Sequence, residues 1–347
     1  MRSLAGLNQK ELEDTLSPLK VQRFRANQIF KWILKGARSF EEMKNIPAAL
    51  KDELNKKFSV YSTSVTDCRE DTDAKKIVLS LKDGASKIEA VLLNDEKNRF
   101  TACLSTQAGC PCACVFCKTG SLGFKRDLES AEIIEQYLHL QNITGVHSKE
   151  HVIDNIVIMG MGEPFLNLDN LRKALSFFTD PKGLNFSKRR ITVSTCGICD
   201  KLIDLAKNGP FVRLALSLTT ADEVLRNKLM PVCEANPLRE LKNALLLFQK
   251  SSNTRVTLEV PLLGGVNTRE SDAASIADFA KGLDTVINII PWNPIEGFEF
   301  DGKPLREPTK KETADFINML ERNRLNVTTR LHKGQKIMGA CGQLGSL

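Results

Sequence analysis

From residue 99 to residue 331 the chain alternates between short apolar, β-branched runs and longer stretches with apolar residues every three or four positions. This alternation constrains the fold more than any other feature. A strand followed by a helix and another strand must cross over and pair in parallel. The strand-like runs are 99–105, 155–160, 190–195, 211–218, 255–263 and 285–291. Helical spacing fills 130–143, 168–179, 199–208, 237–251, 270–282 and 310–324, and an extended stretch at 326–331 follows. Six strand–helix units predict an α/β architecture, an incomplete TIM-like (β/α)6 barrel with its chemistry on loops at the strands' carboxyl ends. Upstream, Lys76–Leu81 and Lys87–Leu93 read as strands around an Asp83-Gly84 turn. Asn8–Leu16, Arg25–Lys35 and Ser39–Phe58 read as helices, punctuated by Gly36 and Pro47. Phe30, Trp32, Ile33 and Leu34 are expected to pack in a core rather than stack on bases. The division expected is a small basic helical domain at 1–60, a β extension at 61–95, the barrel at 96–331 and a tail at 332–347.

The loop after the first barrel strand contains Cys110, Cys112, Cys114 and Cys117. Cys110, Cys114 and Cys117 have the spacing C-x3-C-x2-C. Three thiolates can hold three irons of a [4Fe–4S] cube and leave the fourth iron open, whereas most electron-transfer clusters have four cysteine ligands. An open iron implies that a substrate or cofactor binds there. The alternative is a structural zinc site with Cys112 as fourth thiol, in a non-catalytic RNA-binding protein. Four ligands within eight residues are cramped for zinc, whose structural sites usually join two separated ligand pairs. Glycines 109, 120 and 123 and Pro111 surround the loop, as suits a backbone wrapped around a ligand. Near the end of the second barrel strand, Met159-Gly160-Met161-Gly162-Glu163-Pro164 offers two glycines for close backbone approach and a carboxylate that can accept from an ammonium group.

The chain has 347 residues, of which 42% are hydrophobic, so it can bury a substantial core. No run of about 18 apolar residues suggests a membrane span. The N-terminal residues lack a signal-peptide pattern. A cytoplasmic location, a monomer and reduced thiols are therefore expected for the ten cysteines. Residues 1–60 hold 12 Lys+Arg against 7 Asp+Glu, so they contribute +5 to a net charge of +7. That asymmetry suggests a polyanionic partner such as nucleic acid. Cys196-Gly-Ile-Cys199 admits a redox or metal role, but Cys196, Cys199, Cys112, Cys68 and Cys233 are expected to be small buried thiols. His139, His147, His151 and His332 show no ligand spacing.

Six motifs occur in order: Gly-Cys…Cys-x-Phe-Cys…Gly-Phe-x-Arg (109–126), Gly-Met-Gly-Glu-Pro-x-Leu-Asn (160–167), Ile-Thr-Val-Ser-Thr (191–195), Ala-Leu-Ser-Leu (215–218), Ile-Pro-Trp-Asn-Pro (290–294) and Ala-Cys-Gly-Gln-Leu (340–344). The cysteine spacing with the glycine–glutamate turn resembles the radical S-adenosylmethionine (SAM) superfamily. The full set, spanning nearly the whole chain, resembles the RlmN/Cfr family of radical SAM RNA adenine methyltransferases.

The resemblance implies a [4Fe–4S] cluster on Cys110, Cys114 and Cys117, with SAM chelating the open iron. It implies SAM contacts from Gly162, Glu163, Ser194, Ser217, Leu218, Thr219 and Asn293. Thr219 stands where the family usually has a histidine, so that position offers a hydroxyl or backbone contact in place of an imidazole. Cys341 becomes the methyl carrier, Cys103 the resolving thiol that forms a transient disulfide with it, and Glu89 the proton acceptor. Without the resemblance, Glu89 would be read as a solvent-facing strand residue. The implied substrates are 23S rRNA and tRNA, methylated at adenosine C2, or at C8 in the resistance-type members. A flavodoxin-like protein is the implied electron donor.

Overall fold

The computed structural model describes residues 2–144, 153–330 and 333–345. His147, His151, His332 and Leu331 lie outside the described residues. In the N-terminal part, Asn8 caps α1 (Gln9–Leu16). Its side chain accepts from the Glu11 amide while the Glu11 carboxylate accepts from the Asn8 amide, a reciprocal cap. Helix α2 (Arg23–Leu34) buries Ala26, Ile29, Phe30 and Ile33. Trp32 is half-buried and its indole N–H donates to Asn45 Oδ1 at 2.6 Å, so these residues pack as expected. The helix expected over 39–58 is a short 3-10 turn at Phe40–Glu42 and a separate α3 (Ala48–Lys57). Pro47 divides them because it has no N–H to extend a helix and its ring restricts the residue before it. Strand Arg2–Ser3 pairs in parallel with Phe58–Ser59 and closes this unit.

Among the described residues, ten strands form the main sheet and lie side by side in chain order. They are β1 (Ser64–Asp71), β2 (Ala74–Ser80), β3 (Lys87–Asn94), β4 (Phe100–Cys103), β5 (Asn155–Ile158), β6 (Ile191–Thr195), β7 (Arg213–Ser217), β8 (Val256–Leu262), β9 (Thr285–Pro291) and β10 (Val327–Thr329). Strands β1 to β4 run antiparallel, and β4 to β10 run parallel. Strands β1 and β10 are the sheet's two edges, so the barrel stays open. The parallel strands mix buried apolar residues such as Ile156, Val193 and Leu258 with polar ones such as Ser194 and Glu259 that line a cavity. β1 was not expected from the sequence. Its residues Ser-Val-Thr-Asp-Cys-Arg-Glu-Asp have no alternating apolar face and are almost all exposed. This also corrects the expectation for Cys68, which is exposed on that edge strand.

Helices α4 (Ser130–Ile143), α5 (Leu168–Thr179), α6 (Cys199–Asn208), α7 (Leu238–Ser252), α8 (Glu270–Ala280) and α9 (Lys310–Arg322) make the crossovers. A short helix, Glu223–Leu229, precedes α7. The N-terminal unit is joined to α4 through a buried carboxylate. Glu135 accepts from the Ser3, Ser62 and Thr63 hydroxyls and from the Ser62 and Thr63 amides, and Thr63 also meets His139 Nε2 at 3.0 Å. Among the described residues, no helix is long and apolar enough to cross a membrane.

Candidate active site

The cysteine loop leaves β4 through a two-stranded hairpin, Gln107–Gly109 with Phe124–Asp127, which the sequence reading did not foresee. The Cys110 amide donates to Gly123 O at 3.0 Å, and the Cys117 amide to Cys114 O at 3.1 Å. From outside the loop, the Trp292 indole N–H donates to Phe116 O at 2.8 Å and the Val115 amide to Leu229 O at 3.0 Å. A Cβ on Gly120 would stand 2.9 Å from the Cys114 backbone, so only glycine lets the following short helix pack there. Arg126, the arginine of Gly-Phe-x-Arg, ties the hairpin to Asp83 and to Glu132 at the start of α4. Its work here is to hold the loop's base in place.

Cys110, Cys114 and Cys117 line one cavity at the carboxyl ends of the parallel strands. Burial pushes the Cys114 thiol far up, and neighbouring Cys117, Cys196 and Cys110 push it further. Cys117 is raised by burial and by Cys110. Cys114 and Cys117 are thus held as thiols by burial and by their neighbours, and a cationic metal core beside them would favour the thiolate form of all three. Cys112 sits beside Cys110, and the hydrogen bond between their thiols pushes Cys110 down and Cys112 up. Its sulfur lies 3.8 Å from Cys196 Sγ, with Glu163 beside both. Cys112 and Cys196 are buried, as expected, but they sit on the cavity wall rather than in a remote core. Cys199 does not pair with Cys196; its amide donates to Asn236 Oδ1.

The same cavity is lined by Gly162 and Glu163 after β5, Ser194 from β6, Ser217 from β7 and Asn293 after β9. Gly162 has φ +99°, and a Cβ there would meet Gln107 at 2.5 Å. The close approach this glycine allows is to the hairpin strand. Glu163 is buried, and burial raises its pKa. Its Oε1 accepts from the Thr195 hydroxyl at 2.7 Å and the Phe165 amide at 2.9 Å, and its Oε2 from the Cys196 amide at 2.8 Å. Leu218 and Thr219 do not line this cavity. Leu218 is core, and Thr219 is buried at φ +63° with a hydroxyl that has no hydrogen-bond partner.

A second cavity adjoins the first and is lined by Thr101, Cys103, Lys97, Arg99 and Lys333, among others. Cys341, Met159, Ile290, Asn293 and Arg330 line both cavities. Asn293 Nδ2 donates to Cys341 O at 2.9 Å, so this side chain engages the tail. The Lys118 amide donates to Gly342 O at 2.7 Å. Burial and the nearby Cys341 push the Cys103 thiol up to about 12, with Arg330 opposing them. All ten cysteines are free in this structure.

Two contributors escaped the sequence reading. Arg330, just past β10, is raised first by Cys341 and also by Glu259 and Cys103, and it stands between the two cavities. Glu259, on β8, accepts from the Ser194 hydroxyl at 2.8 Å and lies 3.9 Å from Arg330. Neither belongs to a spaced motif. Glu89 lines neither cavity. It is fully buried, not solvent-facing: Lys76 on β2 lies diagonally beside it across the sheet and the Gly345 amide donates to its Oε2.

A radical SAM superfamily pattern matches residues 104–277, and a ribosomal RNA large subunit methyltransferase N-terminal domain matches residues 2–60. The chain is 48% identical over 345 residues to a protein of Treponema denticola named "Probable dual-specificity RNA methyltransferase RlmN", covering 99% of this chain and 95% of that one. A protein of the same name from Treponema pallidum is 43% identical over 344 residues, covering 99% and 97%. The chain belongs to the RlmN-type radical SAM RNA methyltransferases. A crystal structure of a radical SAM methyltransferase from Sphaerobacter thermophilus superimposes with a TM-score of 0.93 at 31% identity, covering all of both chains. The chain is thus an enzyme of the radical SAM α/β fold, and its superfamily uses a [4Fe–4S] cluster and SAM. The RlmN-type site seen here fits both groups. The three crowded thiols suit the cluster, and the cavity runs from them to the oxygen-bearing Ser194, Ser217, Glu259 and Asn293, which suit the polar groups of SAM.

Proposed function

We propose that this chain methylates C2 of adenosine in the peptidyl-transferase centre of 23S rRNA and of the adenosine 3′ of the anticodon in tRNA. Cys341 would carry the methyl group. The observation that carries this reading is the position of Cys341 in the wall shared by two cavities. One cavity holds the cluster thiols and the strand-end polar groups. The other opens beside Cys103 and is lined by Lys97, Arg99, Arg330 and Lys333 against Asp95 and Glu96, with Arg99 paired to Asp95, so its charge is positive by a small margin, as suits an RNA backbone.

When bound, the cluster and SAM supply a methyl group and, after one-electron cleavage, a radical able to take hydrogen from an unactivated carbon. Cys110, Cys114 and Cys117 hold the cluster, and Gly162, Glu163, Ser194, Ser217 and Asn293 hold SAM. Leu218 and Thr219 shape the strand end beneath them. Cys341 accepts methyl on its sulfur; after that methyl loses a hydrogen atom the carbon adds to the adenine ring, and the ring gives up one electron to the cluster oxidised in SAM cleavage, leaving a protein–RNA adduct. Glu89 takes the ring proton. Cys103 attacks the Cys341 sulfur, the sulfur–carbon bond breaks with its electron pair going to the carbon, and a transient Cys103–Cys341 disulfide forms. The released carbon takes a proton and becomes the product methyl. Residues 1–60 serve as an RNA-binding domain, 61–95 as a β extension, 96–331 as the barrel and 332–347 as the carrier tail. The enzyme works as a cytoplasmic monomer with a flavodoxin-like electron donor.

Mass spectrometry of nuclease-digested RNA after anaerobic turnover tests the regiochemistry. The expected product is 2-methyladenosine; 8-methyladenosine alone would overturn it.

A further inference from the structure

Lys76 and Glu89 lie diagonally across β2 and β3, with both side chains wholly inaccessible. Lys76 Nζ stands 2.8 Å from Glu89 Oε1. A buried ion pair is costly unless its remaining donors and acceptors are filled. Here the filling comes from the segment that carries Cys341. Lys76 Nζ donates to Met338 O at 3.1 Å, and the Gly345 amide donates to Glu89 Oε2 at 2.7 Å. The pair therefore grips the tail on both sides of Cys341. Gly339, Ala340 and Leu344, the residues just inside those two anchor points, form part of the wall of the second cavity. The tail thus stands between Glu89 and that cavity.

We propose that Lys76 and Glu89 form a latch that seats the Cys341 segment, and that lifting the tail opens the second cavity towards Glu89. The latch holds the segment from the β extension, while Asn293, Lys118 and Thr119 hold it from the barrel. Charge-assisted bonds are about twice as strong as neutral ones, so the latch is a strong share of that hold. Lys76 is a positioning residue: it touches the tail and Glu89, not the reacting atoms. The link to Glu89 as a base rests on the proposed function above; the seating of the tail does not.

The test is alkylation of the cluster-loaded chain by iodoacetamide, read peptide by peptide by mass spectrometry. Exposed Cys68 is the internal standard and buried Cys233 reports general loosening. Lys76→Met and a chain ending at Leu344, which lacks the Gly345 amide, are compared with the wild type. The latch predicts a Cys341-to-Cys68 ratio at least about five-fold higher in both variants, with Cys233 still protected. A ratio within two-fold of wild type in both, or Cys233 rising in step with Cys341, overturns it. If Lys76→Met does not fold, the shortened chain decides alone, because it leaves the sheet untouched. RNA and SAM cleavage do not enter this readout, so a flat result removes the latch and leaves the methyltransferase reading standing.

Discussion

Cys103 is buried, and its thiol is raised to about 12, so at neutral pH it rests protonated. Thiol exchange needs the thiolate. The thiolate fraction then grows about tenfold per pH unit well below the pKa. Release of RNA from the adduct in single turnover should therefore rise with a log–log slope near one between pH 7 and pH 9, and a flat profile would show that another step limits release. Cys103→Ala should stop at the adduct, visible as RNA bound covalently to protein on a denaturing gel. Arg330 lowers the Cys103 pKa, so Arg330→Met should slow release about tenfold or more, with partial recovery as pH rises. That Cys110, Cys114 and Cys117 would share one site was legible in the sequence because their spacing lies within one loop. Arg330 and Glu259 were not, because they meet only when β8 and the end of β10 are carried to one end of the sheet. The burial of Glu89 was also illegible, since its partner Lys76 is defined by the register between β2 and β3.

Each element that positions the site has a local cause in the sequence. The crossover helices and the parallel strands were readable from their two periods, and α4, α5 and α6 have the bounds expected. The hairpin under the cysteine loop was not readable: its strands are short, and Gly109 and Gly123 fit a loop as well as a turn. Helix α4 also makes the seam to the N-terminal unit, through Glu135 and His139. Burial lowers the His139 pKa from the usual value near 6.5 to about 4, with Arg38 adding to the effect; Thr63 and Tyr61 pack beside the ring. The unfolded chain binds a proton on this histidine more readily than the folded one does. Stability is therefore full above about pH 6.5 and is lost as pH falls towards 4, by up to about 3 kcal/mol. Glu135, raised by burial, acts in the opposite direction. His139→Gln should shrink the drop in melting temperature between pH 7 and pH 5 seen in the wild type. An unchanged drop would place the acid sensitivity elsewhere.

The whole molecule joins a basic helical unit to a barrel whose open end carries two connected cavities. Lys44, Lys56 and Lys57 are exposed on the N-terminal unit. If that unit grips RNA, replacing all three with Gln should weaken RNA binding and flatten its salt dependence by about two units of slope. Unchanged slope in a filter-binding titration would assign the grip to another face. The central claim is that Cys341 passes a methyl carbon from one cavity to the other. The most direct measurement is anaerobic turnover of the cluster-loaded chain with methyl-labelled SAM and a 23S rRNA fragment, following label in the Cys341 peptide and in digested nucleosides. The account predicts label first on Cys341 and then in 2-methyladenosine, with neither formed by Cys341→Ala. Labelled methyladenosine from Cys341→Ala at the wild-type rate would contradict it.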